Sequence, residues 1–194
     1  MVYLLRTIAI IILGISIGTQ AAVEHYQIDP THTFPNLEFS HMGISIWRGK
    51  FNQTSGEITL DREAKIGTVK VNVNPASINF GLKEMDDMAM SEEFFNVVKF
   101  PQATYTGKIV FKGDLPAKVV GEITLLGVSR PLTLDINLFN CIEHPMLQTQ
   151  VCGADASGQV NWSEYGMKKS EYGKGDAGIV TLHIQVEAFL QNDH

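Results

Sequence analysis

The chain has 194 residues, of which 44% are hydrophobic and 19% are charged. This composition is typical of one folded domain and excludes a disordered or collagen-like chain. The 15 basic and 21 acidic residues give a formal net charge of −6. Because the chain lacks the basic surplus that neutralises nucleic-acid phosphates, we expect no binding of DNA or RNA.

Residues 1–22 have the pattern of a secretory signal peptide. An apolar run over residues 4–18 carries one positive charge, Arg6, and small residues follow it up to Ala21 and Ala22. We expect cleavage after one of these two alanines. A retained anchor is the alternative, because the run approaches the roughly 17 to 25 residues of a membrane span. Cleavage would leave a soluble periplasmic domain, residues 23–194, whose 14 basic and 21 acidic residues give a net charge of −7.

From Val23 onward, apolar residues recur at every second position, with turn signals at short intervals. This pattern predicts about eight strands of an antiparallel barrel or sandwich. The inward parity set by Leu37 and Phe39 switches near Gly43, so we expect a bulge or bend there. Turns are predicted at 113–114, 127–131 and 173–176. The strand candidates are residues 37–46, 49–51 running on from Trp47, 56–60, 68–73, 103–111, 118–125, 130–139, 153–161 and 179–190.

Residues 82–98 break the strand pattern and predict one or two short helices. Ser91, followed by two glutamates, has the features of a helix start. The segment is rich in Met and Phe, a composition that suits either ordinary core or a pocket for a long apolar molecule. Pro101 ends it before the next strand.

Cys141 and Cys152 are the two cysteines of the chain. In an exported protein they predict a structural disulfide, which would close a loop of 12 residues and contribute about 3 kcal/mol. Two alternatives stay open. Cys141 with His144 and Cys152 with Asp155 have a spacing that could hold a metal ion, and the thiols could be free.

The sequence contains little that indicates catalysis. It has no glycine-rich phosphate loop, no Gly-x-Ser-x-Gly motif and no His-Glu-x-x-His motif. His25, Asp29 and His32 could be drawn as an acid/base or metal site, but we expect surface or turn roles for them. His41 shares the parity of Phe39 and is either a core histidine or a polar contact to a ligand headgroup. Asp86 and its neighbour Asp87 are expected on a solvated helix face. Because none of these residues forms a convincing catalytic set, we predict that the protein is not an enzyme.

Several blocks follow one another in a specific order: residues 26–32, 39–45, 48–51, 92–97, 99–105, 121–134 and 165–167. In this order they resemble the YceI family of secreted lipocalin-like proteins. The resemblance implies an elongated eight-stranded antiparallel β-barrel, closed over by a helical segment, whose interior holds a long isoprenoid chain. Met88 and Ala89 depart from the family, in which many members carry His-Leu. A headgroup contact made by that histidine would be absent here.

We therefore expect an isoprenoid carrier or storage protein that needs no cofactor and no metal. A phosphorylated headgroup would need basic side chains, and the only tight basic pairs are Arg48 with Lys50 and Lys168 with Lys169, so a neutral head such as a quinone stays open. The cavity lining is expected to include Phe39, His41, Trp47, Phe51, Met88, Phe94, Phe95, Tyr105 and Phe189.

Two other functions remain as alternatives. One is a lipid- or quinone-modifying enzyme that uses His41 or Asp86 in the same barrel. The other is a stress-related secreted interaction protein whose cavity is incidental. A homodimer and transient contact with a membrane are both compatible with the sequence.

Overall fold

The computed structural model describes residues 23–167 and 178–191. The expected signal peptide at 1–22, the basic pair Lys168 and Lys169 and the turn predicted at 173–176 lie outside the described residues. The elements are β1 (Glu24–Ile28), β2 (Phe34–His41), β3 (Ser45–Phe51), β4 (Thr54–Asp61), β5 (Ile66–Val73), β6 (Ile78–Asn79), α1 (Lys83–Met90), β7 (Ala103–Lys112), β8 (Leu115–Leu125), β9 (Val128–Glu143), β10 (Gln150–Asn161) and β11 (Ile179–Leu190), with 3₁₀ turns at Pro75–Ser77 and Trp162–Tyr165.

The described strands occupy eight positions around a closed antiparallel barrel. Three positions are each filled by two short strands lying end to end: β1 with β2, β3 with β4, and β5 with β6. The ring then continues through β7, β8, β9 and β10 to β11, which pairs with both β1 and β2 and closes it. Each described strand position therefore pairs with a neighbour on both sides. The prediction of an eight-stranded barrel with a short helix is confirmed.

The three divided positions break at the same level of the barrel. The pairs Gln27 with Glu57 and Asn36 with Lys50 bracket the break between β1 and β2. On the far side of β3 and β4, residues 52–53 face residues 74–77. The breaks therefore form one crease across three neighbouring strand positions.

Asp29 holds the break between β1 and β2. Its buried carboxylate accepts hydrogen bonds from the backbone N and Oγ1 of Thr31, at 2.8 and 2.7 Å, and lies 2.7 Å from Nδ1 of His32. Asp29 and His32 thus meet in a turn. His25 does not join them, since it lies on β1, where its carbonyl accepts a hydrogen bond from Gln191.

Two local expectations were wrong. The inward parity does not switch near Gly43, because Trp47 and Phe51 line the cavity at odd positions as Phe39 does, while Ile44 and Ile46 are 80% and 50% exposed. A tight hairpin turn between β2 and β3 stands where a bulge or bend within one strand was expected. Ser91 ends α1 instead of starting a helix, because its backbone N bonds the carbonyl of Met88. The helix starts eight residues earlier at Lys83, where Asp86 Oδ1 accepts a hydrogen bond from the backbone N of Phe80.

The expected disulfide between Cys141 and Cys152 is present, and it joins directly opposed residues of β9 and β10. Neither sulfur is then a thiolate, which removes the alternative of a metal site built on the two cysteines.

Among the described helices, none is long and apolar enough to cross a membrane.

Candidate ligand-binding cavity

The barrel encloses a cavity of about 840 Å³. This volume lies in the range of pockets that enclose small organic ligands. The wall is built from inward-facing positions of all eight strand positions, together with α1 and the segment that follows it, and it is mostly aliphatic and aromatic. Eight of the nine side chains expected to line a cavity do so: Phe39, His41, Trp47, Phe51, Met88, Phe94, Phe95 and Tyr105.

Phe189 is the exception, and its place in the lining was wrong. Its neighbour Ala188 faces the cavity and is 2% exposed, so alternation along β11 turns Phe189 outward. Its ring lies 6.2 Å from the ring of His144. The strand's parity, rather than the bulk of a side chain, decides which side chains point inward.

An aromatic cluster fills the part of the barrel near α1. The Phe39 ring centroid lies 5.2 Å from that of Trp162, 5.9 Å from that of Phe80 and 6.1 Å from that of Trp47. Sequence reasoning missed Phe80 and Trp162. Trp162 could have been found, because it directly follows the last residue of a predicted strand, where a large apolar side chain tends to cover the barrel end.

One end of the cavity is open. Met42 and Met88 line the cavity and are still 52% and 51% exposed, which places the mouth between the β2–β3 turn and α1. At this mouth His41 stacks on Trp47, with ring centroids 4.0 Å apart and an interplanar angle of 14°. Flexible methionine side chains can adapt to ligands of different shape.

The opposite end is closed by a polar cluster around Arg62. Arg62 Nε lies 2.8 Å from a carboxylate oxygen of Glu24, and Nη2 donates to the hydroxyl of Tyr26 at 3.2 Å. That hydroxyl is in turn 2.6 Å from Oε1 of Gln150. Burial, and to a lesser extent Glu24, raise the pKa of Tyr26. Tyr26 is 3% exposed and lines the cavity, so its side chain and this cluster cover this end among the described residues.

Tyr105 forms part of the inner wall on β7. Its buried hydroxyl lies 3.1 Å from the carbonyl oxygens of Val119 and Leu132, and burial raises its pKa to about 12. The hydroxyl therefore stays protonated as a donor to the backbone. Its ring fits over Gly121, where an added Cβ would lie 2.9 Å from Cζ of the tyrosine.

The cavity wall has almost no charge. Among the described residues that line it there is no lysine or arginine, and the carboxylate is that of Glu93 at the mouth. Arg48 and Lys50 point outward from β3, where Arg48 Nε bonds Glu38 at 2.6 Å and Lys50 Nζ lies 4.5 Å from the Phe34 ring centroid. This wall suits a neutral apolar ligand better than a phosphorylated one.

Asp86 and the cluster of Asp29, His32 and Glu187, which could suggest an enzyme or a metal site, lie outside the cavity lining. Asp86 is not among the described lining residues, and its carboxylate is used at the start of α1. The ligand atoms of Asp29, His32 and Glu187 lie within 4.8 Å of one another, close enough to share a metal ion. The hydrogen bonds from Thr31 and His32 to Asp29 account for the approach of His32 to Asp29 as part of the turn between β1 and β2.

Comparison with known proteins matched residues 26–188 to the model of the YceI-like domain family. A UPF0312 protein of Enterobacter sp. (strain 638) is 32% identical over 163 residues, which cover 79% of this chain and 84% of the relative. Protein YceI of Salmonella arizonae is 33% identical over 151 residues, covering 76% of this chain and 78% of the relative.

Solved structures share the fold. The YceI protein of Campylobacter jejuni is 25% identical, with a TM-score of 0.65 over 79% of this chain and 91% of that one. A polyisoprenoid binding domain from Saccharophagus degradans is 14% identical, with a TM-score of 0.61 over 86% of this chain and 98% of that one. At that identity the likeness is one of fold.

Proposed function

The chain belongs to the YceI-like family, and from that premise we propose that it encloses a long isoprenoid lipid in its barrel for transport or storage, without chemical change to the lipid. The cavity of about 840 Å³, with its aromatic and aliphatic wall, is the observation that carries this proposal. The shared fold of the polyisoprenoid binding domain supports it.

Binding would come mainly from removing the isoprenoid tail from water. Each buried methylene contributes about 0.8 kcal/mol, so a tail of many isoprene units gains far more from enclosure than from any single polar contact. Burial is non-directional, so the wall selects weakly for the exact tail length. Met42 and Met88 at the mouth can adjust to that length.

The two tryptophans of the chain, Trp47 and Trp162, both line the cavity. Their fluorescence therefore reports directly on filling, and a titration with geranylgeraniol should give a saturable change. Ala154→Phe fills the lumen from β10 and should weaken binding at least tenfold. Gln159→Phe, on the outer face of the same strand, is the matched control and should bind normally. Equal binding by both variants would contradict enclosure in the barrel.

We also propose that residues 1–22 direct export and that the mature protein works in the periplasm. The disulfide between Cys141 and Cys152 supports this location, because such bonds persist in oxidising compartments. Amino-terminal sequencing of the mature protein from the periplasmic fraction tests it. We expect the mature chain to start at Ala22 or Val23. An uncleaved chain that starts at Met1 and is found in the membrane fraction would contradict export as a soluble protein.

The turn between β2 and β3 is proposed to touch a membrane while the lipid passes. Ile44 and Ile46 are 80% and 50% exposed beside the mouth. A lipid that cannot cross water freely must move through such a contact. Ile44→Ser should slow uptake of a fluorescent prenyl alcohol from phosphatidylglycerol vesicles, whereas Ile66→Ser, at the opposite end and 60% exposed, should not. The same uptake rate for both variants would contradict lipid transfer through this turn.

A further inference from the structure

Four buried hydroxyl groups line the described cavity, and three of them have a partner. The Tyr26 hydroxyl hydrogen-bonds Gln150 at the closed end, and the Tyr105 hydroxyl hydrogen-bonds the carbonyl of Val119 in the wall. Thr33 is 2% exposed, and its Oγ1 lies 3.2 Å from both the carbonyl O and the backbone N of Glu187. These three hydroxyls are used by the protein itself.

Thr54 is the fourth, and its hydroxyl is unused. The residue is 3% exposed, and among the described residues Oγ1 has no hydrogen-bond partner. Thr54 occupies an inward position of β4, as do Ile58 and Leu60, but Oγ1 itself has almost no accessible surface. A rotation about χ1, which exchanges Oγ1 with Cγ2, is therefore needed to turn the hydroxyl toward a bound ligand. A buried hydroxyl without a partner is costly, so natural proteins rarely keep one unless something else satisfies it.

The position of Thr54 is as informative as its missing partner. It is the first residue of β4, pairs with Val73, and sits at the crease where three strand positions break. Along this strand position it lies between Trp47 at the mouth and Leu60 near the closed end. A group bound there would be deep in the barrel rather than at its opening.

We propose that Thr54 is the polar anchor of the lipid site, where its hydroxyl hydrogen-bonds an uncharged ligand oxygen, either a hydroxyl or a carbonyl. This deepens the proposed function and rests on it. A threonine hydroxyl can donate to a carbonyl or exchange hydrogen bonds with an alcohol. An ionised phosphate does not fit, because no lysine or arginine lines the described cavity to offset its burial. The ligand therefore enters with its neutral polar atom at mid-depth.

The test compares two probes on three variants. Geranylgeraniol carries a hydroxyl, and squalene is a hydrocarbon built from the same isoprene units. Thr54→Val should weaken binding of geranylgeraniol about tenfold and leave that of squalene unchanged. Thr54→Ser keeps the hydroxyl and should retain most of the preference for the alcohol. Thr33→Val is the matched control: it removes a bonded hydroxyl from the same cavity and should leave the ratio of the two affinities unchanged.

Stability gives a second readout, independent of any ligand. Without ligand, Thr54→Val should unfold at the same or a higher urea concentration than the unmodified protein, whereas Thr33→Val should unfold at a lower one. An unchanged affinity ratio in Thr54→Val, or a loss of stability like that of Thr33→Val, overturns the inference. If neither probe binds the unmodified protein, the proposed function itself fails and the anchor fails with it.

Discussion

Asp29 and His32 show how ionisation is coupled to the shape of the barrel. Burial raises the pKa of Asp29, but the hydrogen bonds from His32 and Thr31 together lower it by more, so the net pKa lies below its ordinary value. The hydrogen bond to Asp29, with a smaller contribution from Glu187, raises the pKa of His32. The stabilisation from His32 is therefore complete below its unfolded pKa of about 6.5 and is lost as pH rises through the raised value. That from Asp29 is lost as pH falls through its lowered value.

His32→Gln should accordingly remove a pH-dependent part of the stability. The difference in free energy of unfolding between the unmodified protein and the variant should be larger at about pH 5.5 than at about pH 9. Urea unfolding at the two pH values measures it. His25→Gln, an exposed histidine on β1, is the control for general effects of losing an imidazole. A difference that does not change with pH would contradict the coupling.

For single residues, the sequence predicts whether a strand side chain points into or out of the barrel, but it does not predict which hydrogen-bond partner that side chain finds. Alternation correctly predicts Phe39 and Tyr105 in the cavity wall, and it places Phe189 on the outer face of β11, next to the inward Ala188. The unpaired hydroxyl of Thr54 could not have been foreseen. Whether a threonine finds a partner depends on backbone groups of other strands, as Thr33 finds Glu187 more than 150 residues away.

The hairpin of β9 and β10 depends on the disulfide for part of its stability. Reduction of the bond between Cys141 and Cys152 should lower the free energy of unfolding by about 2 to 3 kcal/mol, from the entropy of the closed loop. Urea unfolding with and without reductant measures this loss. The double variant Cys141→Ser with Cys152→Ser should have the same free energy of unfolding as the reduced protein, and adding reductant should not change it. If reduction leaves stability unchanged, the hairpin is held by its strand pairing alone.

β7 and β8 approach closely because Gly107 faces Gly121 across the ladder. A Cβ on Gly121 would lie 2.2 Å from the carbonyl oxygen of Thr106 and 2.7 Å from Cα of Gly107. Gly121→Ala should therefore cost about 1 to 3 kcal/mol or more. Gly153→Ala on β10, whose nearest neighbour would be 3.6 Å away, should stay within about 0.5 kcal/mol. Equal urea midpoints for the two variants would rule out this close approach.

At the scale of elements, long strands are predictable and the turns between them are less so. The apolar side chains of Ile44 and Ile46 predict an inward face, yet both are exposed at the hairpin between β2 and β3, so the alternation pattern alone does not locate this turn. The segment at Ser91 has the composition of a helix start, but Ser91 ends α1, and the helix packs on the barrel through Ala89. Tertiary contacts decide such boundaries.

For the whole molecule, the sequence predicts a barrel but does not show whether its interior is full. An eight-stranded barrel can be filled by its own side chains or can hold one small ligand. Two inward positions of β10 decide this: Ala154 and Ala156 line the cavity, and their small side chains leave room against the wall opposite. One end is closed around Arg62 and the other opens beside Met42, so the barrel has a single direction of entry among the described residues.

Native mass spectrometry of the protein purified from its own host, followed by organic extraction, tests the central claim most directly. We expect one isoprenoid molecule per chain, chemically unchanged, with a neutral oxygen-bearing head. Recovery of a modified lipid would favour an enzyme acting in the same cavity. An empty barrel that also fails to take up added long-chain isoprenoids would contradict the claim and favour an interaction protein.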